Sequence, residues 1–385
     1  MIKKKIIIIS STRADFGILF PLIDRIKKDS FFDLNLVVTG THLEKIYGNT
    51  QNEIYRKGIK KFHKIKINSD STSSIKISKS LSILINKLGL LFNKTKPNLL
   101  IILGDRYEIL LCASVANLFN IPIAHVHGGE LSFGAIDDNF RHAITKLSHI
   151  HFVSTSSYKK RILQLGENKK HVFNVGSLGV LNAKNIKILN KKQIEEKINM
   201  KLNYKHTFIV TYHPPTVYQN NTEILELLNA LEYFKEALII FTMPNADLGS
   251  MLIYNQILKF VNKNSNSVLF KSLGTQLYFS LLKYSGLMIG NSSSGIIEAP
   301  SLNVYNLNIG DRQKGRVRTS YNIDCKPKRN LIIKNILSII MKKNSITKFK
   351  KNPYYKKGTD KLIVKILKKI DYEKIFIKKF YDISI

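Results

Sequence analysis

Cysteine is scarce in this chain: two among 385 residues, Cys112 and Cys325, far apart and in no C-x-x-C pair. That excludes a disulfide-stapled scaffold and a thiolate zinc site. Long apolar runs are missing too, and no stretch approaches the roughly 20 residues of a membrane-spanning helix. The opening "MIKKKIIIIS" joins a basic flank to an apolar run too short for a secretory signal, so a cytoplasmic, soluble protein is expected. Glycine-rich phosphate fingerprints are also lacking. Neither G-x-x-x-x-G-K-[ST] nor G-x-G-x-x-G occurs, which argues against a Walker loop and a standard dinucleotide site. Acidic residues are few, 27 against 61 lysines and arginines, for a net charge of +34. The basic excess is spread along the chain and travels with isoleucine and asparagine. It forms no cluster interleaved with aromatics, so no nucleic-acid partner is expected, and a basic nucleic-acid-binding module stays a distant alternative. A solvated surface is the expected place for this charge, where some of it helps to attract an anionic substrate.

What is present is an alternation of short β-branched runs with amphipathic stretches. "KIIIIS", "LNLVVTG", "LLIILGD", "IPIAHVH" and "IHFVST" read as buried strands. The pattern pauses near "GSLGVLNAKNIKILNKKQ" and restarts with "TFIVTYHPP", "EALIIFTMP", "SVLFKS", "GLMIGNSSS" and "NVYNLNIG". This predicts an α/β protein of two doubly wound, Rossmann-like domains facing a cleft. The expected limits are 1–180 and 181–362, with the tail 363–385 a helix that packs back on the first domain.

Ligands in open parallel sheets bind beyond the carboxyl ends of the strands. Polar clusters stand where that rule puts them: "SSTRADFG", "GDRYE", "HVHGGE", "YHPPT", "MPNADLGS" and "GNSSSGIIEAP" each follow a strand. In the last, a Gly/Ser turn opens a helix whose N–H groups suit a diphosphate, with Arg312 and Arg316 following in "GDRQKGR". Glu298, about one turn into that helix, is placed to hold ribose hydroxyls. The competing reading of Ser292 or Ser293 is a plain helix N-cap.

Taken together, "TRADFG", "VTGTHLE", "GDRYEIL", "HVHGGE", "DDNFRHAITKLSH", "GNSSSGIIEAPSL" and "IGDRQKGRVR" closely resemble the hydrolysing UDP-N-acetylglucosamine 2-epimerases of bacterial sialic acid synthesis. The resemblance implies a GT-B-like fold and conversion of UDP-N-acetylglucosamine and water to N-acetylmannosamine and UDP. It implies elimination to a glycal followed by hydration, without metal or nicotinamide cofactor, and a homodimer. Relatives acting on UDP-N,N'-diacetylbacillosamine for legionaminic acid synthesis make that sugar the alternative substrate. By the same resemblance Asp105 and Asp137 fall on the family's catalytic carboxylates, and Glu130 on a carboxylate near the sugar. Arg13, Arg106, His213, Asn245, Ser292, Ser293, Glu298 and Arg312 fall on its nucleotide-binding positions. Lys271, Ser272 and Leu273 are expected to approach the uracil through backbone groups. There is one departure. Many relatives carry H-x-E-G-G with a catalytic glutamate, whereas His127 stands here in H-x-H-G-G-E, a pattern shared by a subset. Either His127 or Glu130 takes the glutamate's role. The two glycines between them are expected to let the backbone approach the sugar ring.

Other readings compete. Asp105 and Asp137 could each cap the helix that follows. His125 and His127, with Glu130, Asp137 and His142 nearby, suggest a metallohydrolase. Within the fold, a UDP-sugar transferase is a further rival.

Overall fold

Each β-branched run becomes a strand because alternate side chains must be buried on both faces of a parallel sheet. The computed structural model describes residues 2–68, 72–217, 222–342 and 351–382. The first sheet contains β1 (Lys4–Ser10), β2 (Phe32–Thr39), β3 (His63–Ile65), β4 (Leu99–Leu103), β5 (Ile123–Val126), β6 (Ile150–Val153) and β7 (Val172–Asn174). The second contains β8 (His206–Thr211), β9 (Ala237–Thr242), β10 (Ser267–Phe270), β11 (Leu287–Gly290), β12 (Tyr305–Ile309) and β13 (Asn322–Cys325). The orders are β3-β2-β1-β4-β5-β6-β7 and β10-β9-β8-β11-β12-β13. Representative pairs at the centres, β1 with β4 and β8 with β11, run parallel.

In β1 the period of two is direct. Ile6 and Ile8 pack with Phe16, Leu19 and Ile23 on one face, while Ile7 and Ile9 pack with Leu84, Leu88 and Ile109 on the other. The strand order reverses between β1 and β4, and again between β8 and β11. Such reversal points open a crevice at the carboxyl ends of the strands. Among the described residues no helix is long and apolar enough to cross a membrane.

The chain returns to the first sheet near its end. Tyr354 and Tyr158 hydroxyls meet at 2.8 Å, and Thr359 Oγ1 donates to the Val175 carbonyl at 2.8 Å. The helix Thr359–Leu367 then buries Ile363, Val364 and Leu367 in the core that holds Leu22 and Ile26. The continuous helix expected over 363–385 is a correction: helical residues end at Leu367, and turns and irregular chain follow to Asp382. Residues 383–385 lie outside the described residues. Asp371 explains the break, since its carboxylate accepts from the backbone of Glu373 at 3.1 Å and Lys374 at 3.2 Å. Such local bonds favour a new turn over a continued helix. Beyond it, Lys378 Nζ donates to the carbonyls of Lys146 and Ser148 at 2.6 and 2.5 Å, tying the tail to the first domain.

Candidate active site

All the polar strand ends reach one cavity of about 260 Å³ between the two sheets. Thr12 and Arg13 follow β1, Asp105 follows β4, His127 follows β5, and His213, Asn245 and Ser292 follow β8, β9 and β11. Bonds across the cleft hold the walls together. Arg13 Nη2 donates to the Met243 carbonyl at 2.8 Å, and Thr275 donates through its backbone N to Glu53 Oε1 at 2.9 Å. Thr12 sets the direction of Arg13 by capping the helix Arg13–Lys27, with Asp15 closing the reciprocal capping box.

On the second-domain side, His213 Nδ1 accepts from the backbone N–H of Asn245 at 3.1 Å. Burial, helped by the charge of Arg312, holds His213 down to about 3, so the ring is neutral and its proton sits on Nε2. Ser292 caps the short helix Ser293–Ile297, and Ser292, Ser293 and Glu298 all line the cavity. The cap and the cavity position therefore coexist at Ser292. Burial pushes Glu298 up to about 8. Arg312 also faces the cavity. Its Nη1 donates to the Asn291 carbonyl at 3.3 Å, while its buried Nε has no partner among the described residues. At the end of β11, Gly290 has φ 129°, and a side chain there would strike the Thr211 carbonyl. Glycine is what lets this turn sit against β8.

Three expected nucleotide positions behave differently. Leu273 lines the cavity, but Lys271 and Ser272 are not part of its wall, and the Lys271 carbonyl is taken by the Arg13 guanidinium. Arg106 reaches the wall with its donors already engaged. It holds Glu108 at 3.0 Å, Asp247 at 2.8 Å and the Ala246 carbonyl at 3.3 Å. Its guanidinium is thus a buried strut between the domains.

Neither aspartate caps its helix. The helix Tyr107–Leu118 is capped at Arg106 and the helix Asp137–Leu147 at Ile136, both without a side-chain bond. Asp105 instead pairs with Arg141, which is 1% exposed. Burial works against the charge of Asp105, but the guanidiniums of Arg141, Arg316 and Arg312 outweigh it and hold the carboxyl below its usual range. Asp137, in the same cavity, goes the other way. Burial first, then the negative charges of Asp105 and Asp247, push it up to about 7. The neighbouring Asp138 is structural: it takes Ser132 N at 2.7 Å and Arg141 Nη1 at 2.6 Å.

The stretch "HVHGGE" divides its labour. His125 points into the sheet, with Nε2 against the Gly104 carbonyl at 2.7 Å and Nδ1 near Thr145 Oγ1 at 3.3 Å. Both its nitrogens serve protein contacts, so it steadies the turn before Asp105. His127 leaves the strand in the left-handed region, φ 67°, and lines the cavity. Gly128 and Gly129 do not open the backbone to the cavity, contrary to expectation. Side chains there would meet Ile162 and the Tyr158 carbonyl at 3.1 and 2.6 Å, so the glycines admit the helix Ser156–Gln164. His149 and His151 sit at the entering end of β6, against the Ile123 backbone and Glu167.

Some participants went unnoticed in the sequence reading. Arg141 is the hub of the carboxylates, Asp247 bridges Arg106 and Arg312, and Asn291 brackets His213 through both its backbone N and its carbonyl. Arg141 carried a signal: an arginine one turn after paired aspartates on a helix. Asp247 and Asn291 lay inside polar clusters without any local mark to separate them from their neighbours.

Fold and cavity together define a two-domain α/β enzyme with one shared cleft. The chain belongs to the UDP-N-acetylglucosamine 2-epimerase family, whose sequence model matches residues 24–368. It is 44% identical over 393 aligned positions to the GDP/UDP-N,N'-diacetylbacillosamine 2-epimerase (hydrolyzing) of Campylobacter jejuni, covering 100% of both chains. It is 40% identical to polysialic acid biosynthesis protein P7 of Escherichia coli, over 99% of this chain and 98% of that one. The fold is shared with a crystal structure of Methanocaldococcus jannaschii UDP-GlcNAc 2-epimerase in complex with UDP-GlcNAc and UDP. There the TM-score is 0.76 at 20% identity, over 94% of this chain and 99% of the other.

Proposed function

We propose that this chain is a hydrolysing UDP-sugar 2-epimerase that converts UDP-N-acetylglucosamine and water to N-acetylmannosamine and UDP. One observation carries the reading. Asp105 and Asp137 share a cavity, yet guanidiniums hold the first below its usual range while burial and like charge push the second up to about 7. Carboxyls pushed apart in this way can divide acid and base work. Cytoplasmic location and a homodimer belong to the same proposal and do not enter its chemistry.

The sugar's C2 hydrogen has no adjacent carbonyl to acidify it. Its loss must accompany cleavage of the C1–O bond, whose electron pair leaves with UDP through an oxocarbenium-like state. Arg312 and the helix start at Ser292 are the groups suited to stabilise that leaving diphosphate. The C2–H pair becomes the C1=C2 bond of a 2-acetamidoglucal, and a base accepts the proton. Water then adds its oxygen to C1 and gives a proton to ionised Asp105. Asp137 supplies a proton to C2 from the opposite face, which inverts that carbon.

A second reading differs only in the sugar. The C. jejuni relative is named for N,N'-diacetylbacillosamine, which supports UDP-N,N'-diacetylbacillosamine as the alternative substrate. Supplying each UDP-sugar in heavy water and analysing the products by mass spectrometry and proton NMR tests both. The expected result is UDP release with deuterium at C2 of the freed sugar. A product that keeps its original C2 hydrogen rules out the elimination route, and the faster substrate decides between the sugars.

A further inference from the structure

Glu130 is 2% exposed, and every contact it makes is spoken for. Its Oε1 accepts from Ser154 Oγ at 2.9 Å and lies 3.0 Å from His127 Nδ1, while Oε2 pairs with Arg316. Arg316 comes from the opposite domain, in the loop after β12. His127 is 6% exposed, its backbone N bound to the Phe152 carbonyl at 3.0 Å, and its buried Nε2 is the ring atom left without a partner among the described residues. With Nδ1–H directed at a carboxylate, the neutral ring carries its lone pair on Nε2. That atom belongs to a residue lining the cavity.

From this geometry we infer that His127 Nε2 takes the C2 proton, and that Glu130 and Arg316 are positioning residues which assemble this base across the two domains. The inference rests on the proposed epimerase reading. In the elimination step the C1–O electrons leave with UDP, the C2–H electrons form the C1=C2 bond, and the proton passes to Nε2. Water later removes it from the imidazolium.

The charges around the ring explain why a carboxylate needs an arginine here. Four charged groups face His127: Glu130 on its own turn, Asp105 after β4, Arg141 on the helix Asp137–Leu147, and Arg316 from the far domain. Burial, then Arg316, holds the imidazole down to about 3, so it stays an unprotonated acceptor. A weak base suffices, because a sugar with oxocarbenium character has a strongly acidic C2–H. Without Arg316, the Glu130 carboxylate stands uncompensated beside the ring and favours imidazolium, which cannot accept a proton.

Three variants test this, with calorimetric UDP binding reporting on fold and site. Arg316→Gln is expected to lower kcat at pH 6 at least tenfold, to recover in part toward pH 7.5, and to bind UDP within about twofold of the unaltered protein. Arg316→Lys, which keeps the charge, is expected to restore most of the loss. A deficit of the same size at every pH, or weaker UDP binding with kcat unchanged, makes Arg316 a structural or phosphate residue and overturns the inference. His127→Asn suits the left-handed backbone and removes the base. It is expected to bind UDP while C2 exchange falls at least a hundredfold. Exchange near the normal rate in that variant sinks His127 as the base. Absence of C2 deuterium with the unaltered protein sinks the epimerase reading itself, so the two failures are distinguishable.

Discussion

Replacing Asp137 with asparagine should cost activity and add stability, and the two effects should depend on pH in opposite ways. The carboxyl is pushed up to about 7 by burial and by Asp105 and Asp247. As the group that protonates C2 of the glycal, it must carry its proton, so formation of the epimerised sugar should decline as pH rises through about 7. Asparagine cannot supply that proton, and the loss of a general acid is on the order of 100-fold or more in kcat. UDP binding should survive, because Asp137 is assigned to the sugar. The stability sign follows from linkage. A carboxyl with a folded-state value above the ordinary 3.8 contributes most below pH 4, and that contribution disappears as pH rises through 7. Moving from 3.8 to about 7 corresponds to at most about 4 kcal/mol. Solvent screening at this half-buried group reduces the expected gain to about 1–2 kcal/mol. Urea unfolding of Asp137→Asn should therefore show it more stable than the unaltered protein at pH 8, with the difference gone near pH 4. Near-normal kcat with the alkaline decline still at pH 7 would refute the assignment. Equal stability at pH 8 would refute the electrostatic reasoning beneath it.

Arg312→Ala and Ser292→Ala should each weaken UDP binding by calorimetry, the arginine by roughly tenfold or more as a charge-assisted donor. Unchanged affinity in both would move the phosphate elsewhere in the cleft. In the returning helix, Leu367→Ala removes a fully buried side chain from the first-domain core and should cost about 2–5 kcal/mol in urea unfolding. A loss below about 1 kcal/mol would mean that the helix Thr359–Leu367 adds little to that core.

The strand ends were legible because they follow from local chemistry and one topological rule. Continuous isoleucine and leucine runs have no stable place except a two-sided sheet, and parallel sheets collect their polar turns at one edge. That was enough to bring Asp105, His127, Asp137, His213, Asn245, Ser292 and Arg312 to one cavity. The tail was misread past Leu367, since its apolar spacing resembles a helix and the turn at Asp371 depends on a single side chain.

Sequence alone thus determined the architecture and the wall of the cleft, because both depend on periodicity and on which residues follow each strand. Only the tertiary structure decided which carboxylate is charged, which aspartate is a scaffold, and how the glycines face. Asp105 and Asp137 are chemically alike in the sequence. They differ because Arg141, which lies 36 positions from Asp105, supplies the guanidinium that pairs with it. Arg316 meets Glu130 across 186 positions, from the other domain. Coulomb energy depends on distance in space and on burial, and neither can be read from separation along the chain.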